Sequence, residues 1–206
     1  GLKRWLVERT RRVAFKLRRT FRLYWPEPYP ASGVICAQTL HGPRILLLGE
    51  QPGDMEDLSG RPFVSPAGKL LDRALADLGL DRTQLYLTNA VKHFRFERRG
   101  KRRLNRNPEA SHVQACRSWL AGEIERVRPQ VIVCLGGTAA LAVFGPGFRL
   151  MEQRGTWHDL HDGTRAFATV HPAWILRQPA NERTTAYAHW LEDLRLLLRP
   201  RMDGQD

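Results

Sequence analysis

Four short apolar runs, each closed by a small or polar residue, limit most strongly what this chain can fold into. Residues 44–48 (RILLL), 85–91 (LYLTNAV), 131–135 (VIVCL) and 166–170 (AFATV) are mostly continuous rather than alternating. That is the pattern of strands buried on both faces. The stretches between them carry helical spacing. Leu71, Leu75 and Leu78 recur within 66–78, and Val113, Cys116, Leu120, Ile124 and Val127 share one face of a later segment. Asn107-Pro108 pairs a capping side chain with a first-turn proline, which predicts that this second helix starts there. A last helix uses Tyr187, Trp190, Leu191 and Leu194. Strands alternating with helices predict an α/β fold: three αβα layers around a central four-stranded parallel sheet.

A chain of 206 residues is one domain with a little to spare. The sequence divides into a basic arm with a proline-rich linker over 1–30, a catalytic-sized domain over 31–200 and a tail over 201–206. The arm has loosely helical apolar spacing. It reads first as an amphipathic helix whose basic face is solvated, second as an arm for DNA or another anionic surface, and last as the remnant of a fused neighbour.

Charge is concentrated. The formal net charge is +12, and residues 1–30 and 92–107 each carry +7, so the remaining residues sum to −2. A near-neutral domain with two basic segments predicts a polyanionic partner. Three widely spaced cysteines exclude a disulfide framework, and no apolar run approaches the ~20 residues of a membrane span. The expectation is a cytoplasmic, nucleoid-associated bacterial protein, monomeric, with no membrane partner.

In parallel α/β sheets, ligands bind beyond the carboxyl ends of the strands. The residues there are Gly49-Glu50-Gln51-Pro52-Gly53, Asn89 to His93, Gly136-Gly137-Thr138 and His171-Pro172. GEQPG is either an ordinary turn or a loop that holds a carboxylate and an amide in place. Phe63, in the stiff run GRPFVSPAG, is either a loop anchor or a platform on which a base stacks. Asn89 is a turn-maker or a reader of a pyrimidine edge. His171 can donate to a developing anion.

Taken together, GEQPGDMEDLSGRPFVSPAGKLLDRAL, LYLTNAVKHFRF, KRRLN and ATVHPAWILR, in this order and spacing, resemble the uracil-DNA glycosylase superfamily. The resemblance is greatest to its UdgX-type branch, beside the family 4 enzymes, and spans residues 36–198. It implies that Glu50 acts as acid/base or water-positioning group, and that Gln51 lies at the base pocket. It further implies that Phe63 stacks on a flipped uracil, Asn89 bonds the uracil edge, and His171 stabilises the leaving anion. Arg98, Arg99, Lys101, Arg102 and Arg103 would then grip phosphates beside the flipped nucleotide.

Two positions depart from the family pattern. The relatives carry an iron–sulfur cluster, whose ligands begin with a Cys-x-x-Cys pair that this chain lacks. The residual ligand positions are Cys36, His93 and Cys116, fewer than the usual four. The expectation is therefore no cofactor, with Cys116 packing on its helix's apolar face and Cys134 a core residue; an iron–sulfur cluster is the alternative that the resemblance allows. The UdgX branch also has a KRRIH loop, whose histidine joins covalently to DNA. Here Asn105 holds that position, and an amide nitrogen is no nucleophile.

The resulting expectation is a uracil-DNA glycosylase that hydrolyses the glycosidic bond without a covalent adduct, acting on single- or double-stranded DNA in base excision repair. The alternative is a protein that binds uracil-containing or single-stranded DNA without turnover. A generic basic nucleic-acid-binding domain fits less well, because Glu50, Asn89 and His171 are all present.

Overall fold

A computed structural model describes residues 44–161 and 163–198. The predicted arm and linker, Cys36 and the tail lie outside these residues.

The four apolar runs form strands β1 (Ile45–Gly49), β2 (Leu85–Asn89), β5 (Val131–Leu135) and β7 (Arg165–Thr169). All four are parallel, as expected from runs buried on both faces. A fifth strand, β6 (His158–Asp159), adds two residues antiparallel to β7. The sheet order is β2-β1-β5-β7-β6, one edge strand more than the four predicted. Two residues form too short a run to leave a periodic signal.

Side chains alternate across the sheet. Leu47, Leu87, Val133 and Phe167 join one core with Leu71 and Leu75 of helix α2 (Pro66–Asp77) and Trp190 and Leu194 of helix α7 (Ala180–Leu194). Leu46, Leu48, Ile132, Cys134, Ala166 and Ala168 join another with Leu120 of α3 (Ala110–Val127) and Ala139 and Ala140 of α4 (Gly137–Phe144). Three αβα layers result. Cys134 is fully enclosed, and burial pushes its thiol pKa well up, as befits a core residue.

Helix α3 starts two residues later than Asn107-Pro108 predicts. Glu109 caps it, its backbone N–H donating to His112 Nδ1 at 3.1 Å. The Asn107 carbonyl accepts instead from Arg95 Nη1 at 2.6 Å, so this residue is drawn toward the segment before it.

The basic segment holds a second sheet that the sequence did not announce. Strands β3 (Phe96–Arg99) and β4 (Arg102–Asn105) pair antiparallel as a hairpin, turning at Gly100 with φ +59°. The hairpin pairs only with itself.

Register carries the site. Gly49 pairs with Asn89, and Leu135 with Thr169, so all four strands end on one line. The chain leaves β1 toward β2 on one side, while β5 lies on the other. The crevice at that reversal is where a ligand belongs. Helices α1 (Asp54–Ser59), α5 (Leu150–Gln153) and α6 (Pro172–Leu176) ring it.

Candidate active site

A pocket of about 270 Å³ opens on this edge. It lies just below the ~300 Å³ at which sites for drug-sized ligands begin, a size suited to a single nucleobase. Glu50, Gln51, Phe63, Asn89, Asn105 and His171 all line it. Every residue expected at the base and sugar is therefore brought to one cavity.

The floor is tightly fitted. A Cβ on Gly49 would stand 2.4 Å from Asn89 Oδ1 and 2.6 Å from Phe63 Cζ, so only glycine lets the amide and the ring share that floor. Asn89 is 4 % exposed. Phe63 has φ +54°, a left-handed backbone that costs a bulky residue of order 1–3 kcal/mol. Its ring lies 6.3 Å from His171, the two planes tilted by only 24°. Two nearly parallel rings thus face one space.

His171 caps α6, its Nδ1 accepting from the Ala173 N–H at 3.1 Å. An accepting Nδ1 leaves the proton of the neutral imidazole on Nε2. Burial first, and the Arg177 guanidinium second, lower the His171 pKa to about 4, against the smaller opposing pull of Glu56. At neutral pH the ring is a neutral N–H donor. Gly136 makes room for it: with φ +96°, it brings the chain to where a Cβ would lie 3.1 Å from His171 Cβ.

Glu50 is fixed from the opposite wall, where Thr138 Oγ1 donates to its Oε2 at 2.5 Å. Thr138 follows the Gly136-Gly137 pair, so the strand-end rule pointed to its position without giving it a task. Gln51 is 9 % exposed and spent on the hairpin. Its Nε2 donates to Asn105 Oδ1 at 2.5 Å and to the Arg106 carbonyl at 3.0 Å, while its Oε1 accepts from the Arg95 N–H at 3.0 Å. Gln51 thereby holds Asn105 at the pocket mouth. Trp174, Arg177, Met151 and Asn107 also line the pocket. Of these, sequence could have flagged only Trp174 and Arg177, which lie in the HPAWILR run.

The basic segment divides into inward and outward charges. Arg98, Arg99, Lys101 and Arg102 are exposed on the hairpin. Arg103, expected among them, turns inward. It pairs with Asp54 at 2.5 Å and Asp57 at 2.6 Å, and lies over the rings of Phe94 and Phe96 at 5.4 and 5.2 Å. Two carboxylates and two aromatic faces satisfy a guanidinium better than solvent beside the hairpin's four exposed cations does. Lys92 also turns inward: it is 1 % exposed, with Nζ at 2.6 Å from Glu123 and 2.8 Å from Thr88 Oγ1.

Of the residual cluster positions, Cys116 and His93 lie among the described residues. Cys116 is 1 % exposed among Val91 and Val113, and its Sγ accepts from the Lys92 N–H at 3.4 Å. Burial raises its thiol pKa, the opposite of what a thiolate ligand needs. Burial also lowers the pKa of the neighbouring His93 to about 4. Among the described residues, no group of three or more His, Cys, Asp or Glu side chains could hold a metal ion. The described donors therefore do not fit a four-ligand cluster. No helix among the described residues is long and apolar enough to cross a membrane.

Known proteins resemble this chain over much of its length. Residues 38–195 match the model of the uracil DNA glycosylase superfamily. A type-4 uracil-DNA glycosylase of Thermotoga maritima is 38% identical over 140 residues, covering 68% of this chain and 69% of that protein. One from Archaeoglobus fulgidus is 36% identical over 142 residues, covering 66% and 68%. A third, from Saccharolobus solfataricus, is 36% identical over 143 residues, covering 66% and 63%.

Proposed function

Because the chain belongs to the uracil-DNA glycosylase superfamily, we propose that it flips uracil out of DNA and hydrolyses the N-glycosidic bond, with water rather than a side chain capturing the sugar. The chain is a hydrolase of that bond, and uracil-containing DNA is its substrate. The finer steps follow from the residues.

The base leaves the stack because its glycosidic bond is shielded in a duplex. Phe63 supplies a stacking face, and Asn89, beside it on the floor, supplies the donors and acceptor for the uracil edge. When the C1′–N1 bond breaks, its electron pair goes to uracil, which becomes an anion, and the sugar becomes cationic. A neutral His171 Nε2–H donates to the anion without first having to lose or gain a proton. The Glu50 carboxylate, steadied by Thr138, stabilises the sugar cation and takes the proton of the attacking water. The water oxygen bonds to C1′, leaving an abasic site, and the proton taken by Glu50 returns through solvent to the uracil anion, which leaves as free uracil. Asn105 offers an amide, which has no lone pair of comparable nucleophilicity, so no protein–DNA bond forms. This substitution in the KRRLN loop is where we set the protein apart from the UdgX-type branch it otherwise resembles. We read it as a cytoplasmic monomer that needs no metal or cluster.

The observation that carries the proposal is the protonation geometry of His171: an Nδ1 occupied by a backbone N–H, and a neutral ring facing the pocket. The test is an alkali-cleavage assay on oligonucleotides with one uracil, single- and double-stranded. Strand scission at uracil but not at thymine is expected. A gel shift specific to uracil with no scission would transfer the reading to a binding protein, and neither scission nor shift would overturn it.

A further inference from the structure

The left-handed backbone at Phe63 is gripped from both sides by ions that the chemistry above does not use. Glu56 of α1 is 4 % exposed, yet both of its carboxylate oxygens are engaged. Oε1 accepts from the Val64 N–H at 3.0 Å and the Ser65 N–H at 2.8 Å, and Oε2 accepts from the Gly53 N–H at 3.1 Å. On the other side, Arg82 Nη2 donates to the carbonyls of Pro62 at 2.9 Å and Phe63 at 3.2 Å, while its Nη1 pairs with Asp72. Arg82 sits on a short 3-10 turn before β2 and does not line the pocket.

We propose that Glu56 and Arg82 form a charge clamp that sets the plane of the Phe63 ring, making them positioning residues for capture of the flipped base. The clamp holds what the backbone alone would release. The carbonyls of residues 62 and 63 are fixed by a cation and the amides of 64 and 65 by an anion, so the peptide groups flanking Phe63 cannot rotate independently. Charge-assisted hydrogen bonds of this kind are about twice as strong as neutral ones. Glu56 also reaches Gly53, tying the stacking loop to the loop that carries Glu50 and Gln51. One side chain therefore fixes the separation of two pocket walls.

Two glycines let the ring and its carbonyl close onto the neighbouring backbone. A Cβ on Gly68 would stand 2.0 Å from the Phe63 carbonyl oxygen, and one on Gly49 2.6 Å from its ring. Close packing on the floor side restrains the ring, and the clamp holds the loop that carries it. Such preorganisation serves a stacking platform, because a tilted ring loses contact over the whole base face.

This inference rests on the excision reading for its kinetic test, but not for its structural one. The structural arm is amide exchange of Val64 and Ser65 by NMR in the wild type, Glu56→Gln and Arg82→Met. Protection should fall at least tenfold in both variants, and unchanged protection would overturn the clamp. The kinetic arm is steady-state excision by Arg82→Met, whose side chain lies outside the pocket. We expect about a tenfold loss in kcat/KM, mostly in KM, within the roughly 5- to 150-fold range that one base-stacking ring supports. Arg82→Lys should restore part of it. In a Phe63→Ala background the same change should cost less than twofold, since the clamp has no ring to position. A full, additive loss there would show a merely structural role and overturn the inference. If the wild type excises no uracil, the functional reading fails while amide exchange still decides the clamp.

Discussion

Arg103→Ala and Arg102→Ala should have opposite consequences, although the two arginines are neighbours in one basic loop. The Arg103 side chain is 17% exposed and pairs with Asp57, whose own side chain is 5% exposed. Removing one partner of a buried pair costs about 3–5 kcal/mol, because a carboxylate is left in a poorly solvating site. Asp57 has a further contact, which favours the lower end. The Asp54 pair is half-exposed and adds less than about 1 kcal/mol, and lost contact with Phe94 and Phe96 adds about the same. These terms share one side chain and do not add fully, so we expect a loss of about 3–4 kcal/mol. At about 2–4 °C per kcal/mol for a domain of this size, Tm should fall by roughly 6–16 °C. Arg102 is exposed, and its removal should leave Tm within about 2 °C. Binding should order them the other way. With a thymine-only oligonucleotide, which is bound without turnover, Arg102→Ala should lower the slope of log affinity against log salt by ~0.7–0.9, and Arg103→Ala should not. The assays are thermal melting and fluorescence anisotropy over a salt series, below the melting range of both variants. An Arg103→Ala protein that melts like the wild type and loses one phosphate contact would refute the inward assignment.

Further outcomes follow from the pocket and the buried groups. His171→Ala should cost ~10²–10³ in excision rate while changing DNA affinity little, since uracil's charge appears only in the transition state; equal losses in both would remove its assigned role. His93 and His171 have folded pKa values lowered to about 4 against 6.5 when unfolded. Between those values the unfolded chain binds more protons, so stability should be fully present above pH 6.5 and fall as pH drops toward 4. His93→Gln should flatten the Tm profile in that window, and an unchanged profile would refute the buried-neutral assignment. Asn105→His should yield a denaturation-resistant band on uracil DNA and none on thymine DNA, whereas the unmutated protein should give neither. Purified protein should be colourless and folded without iron; a brown preparation with stoichiometric iron would show a ligand set beyond the described residues.

What was legible in the sequence is what depends on local pattern. The four apolar runs gave four parallel strands because burial on both faces removes any reason to alternate. The strand-end rule then located Glu50, Asn89 and His171 before any contact was visible. What was illegible depends on where a side chain turns. Lys92 and Arg103 add to the charge of segment 92–107 just as Arg98 does, yet both turn inward to carboxylates distant in sequence. Glu56 reads as one more acid in the first turn of α1, since its partners at 64 and 65 are set by a loop path that no periodicity encodes. The hairpin was hidden for a related reason: FERR and RRLN are too polar to look like strands.

That hairpin pairs with no strand of the main sheet, which makes residues 96–105 a detachable cassette. Exchanging these ten residues would leave every ladder hydrogen bond of the five-stranded sheet in place. Three fastenings would have to be kept: a cation at 103 to answer Asp54 and Asp57, an aromatic ring at 96 beneath that cation and against Phe94, and an acceptor at 105 to meet Gln51. Within those limits, strand grip and the fate of the sugar could be rewritten together on a scaffold that still captures the same base.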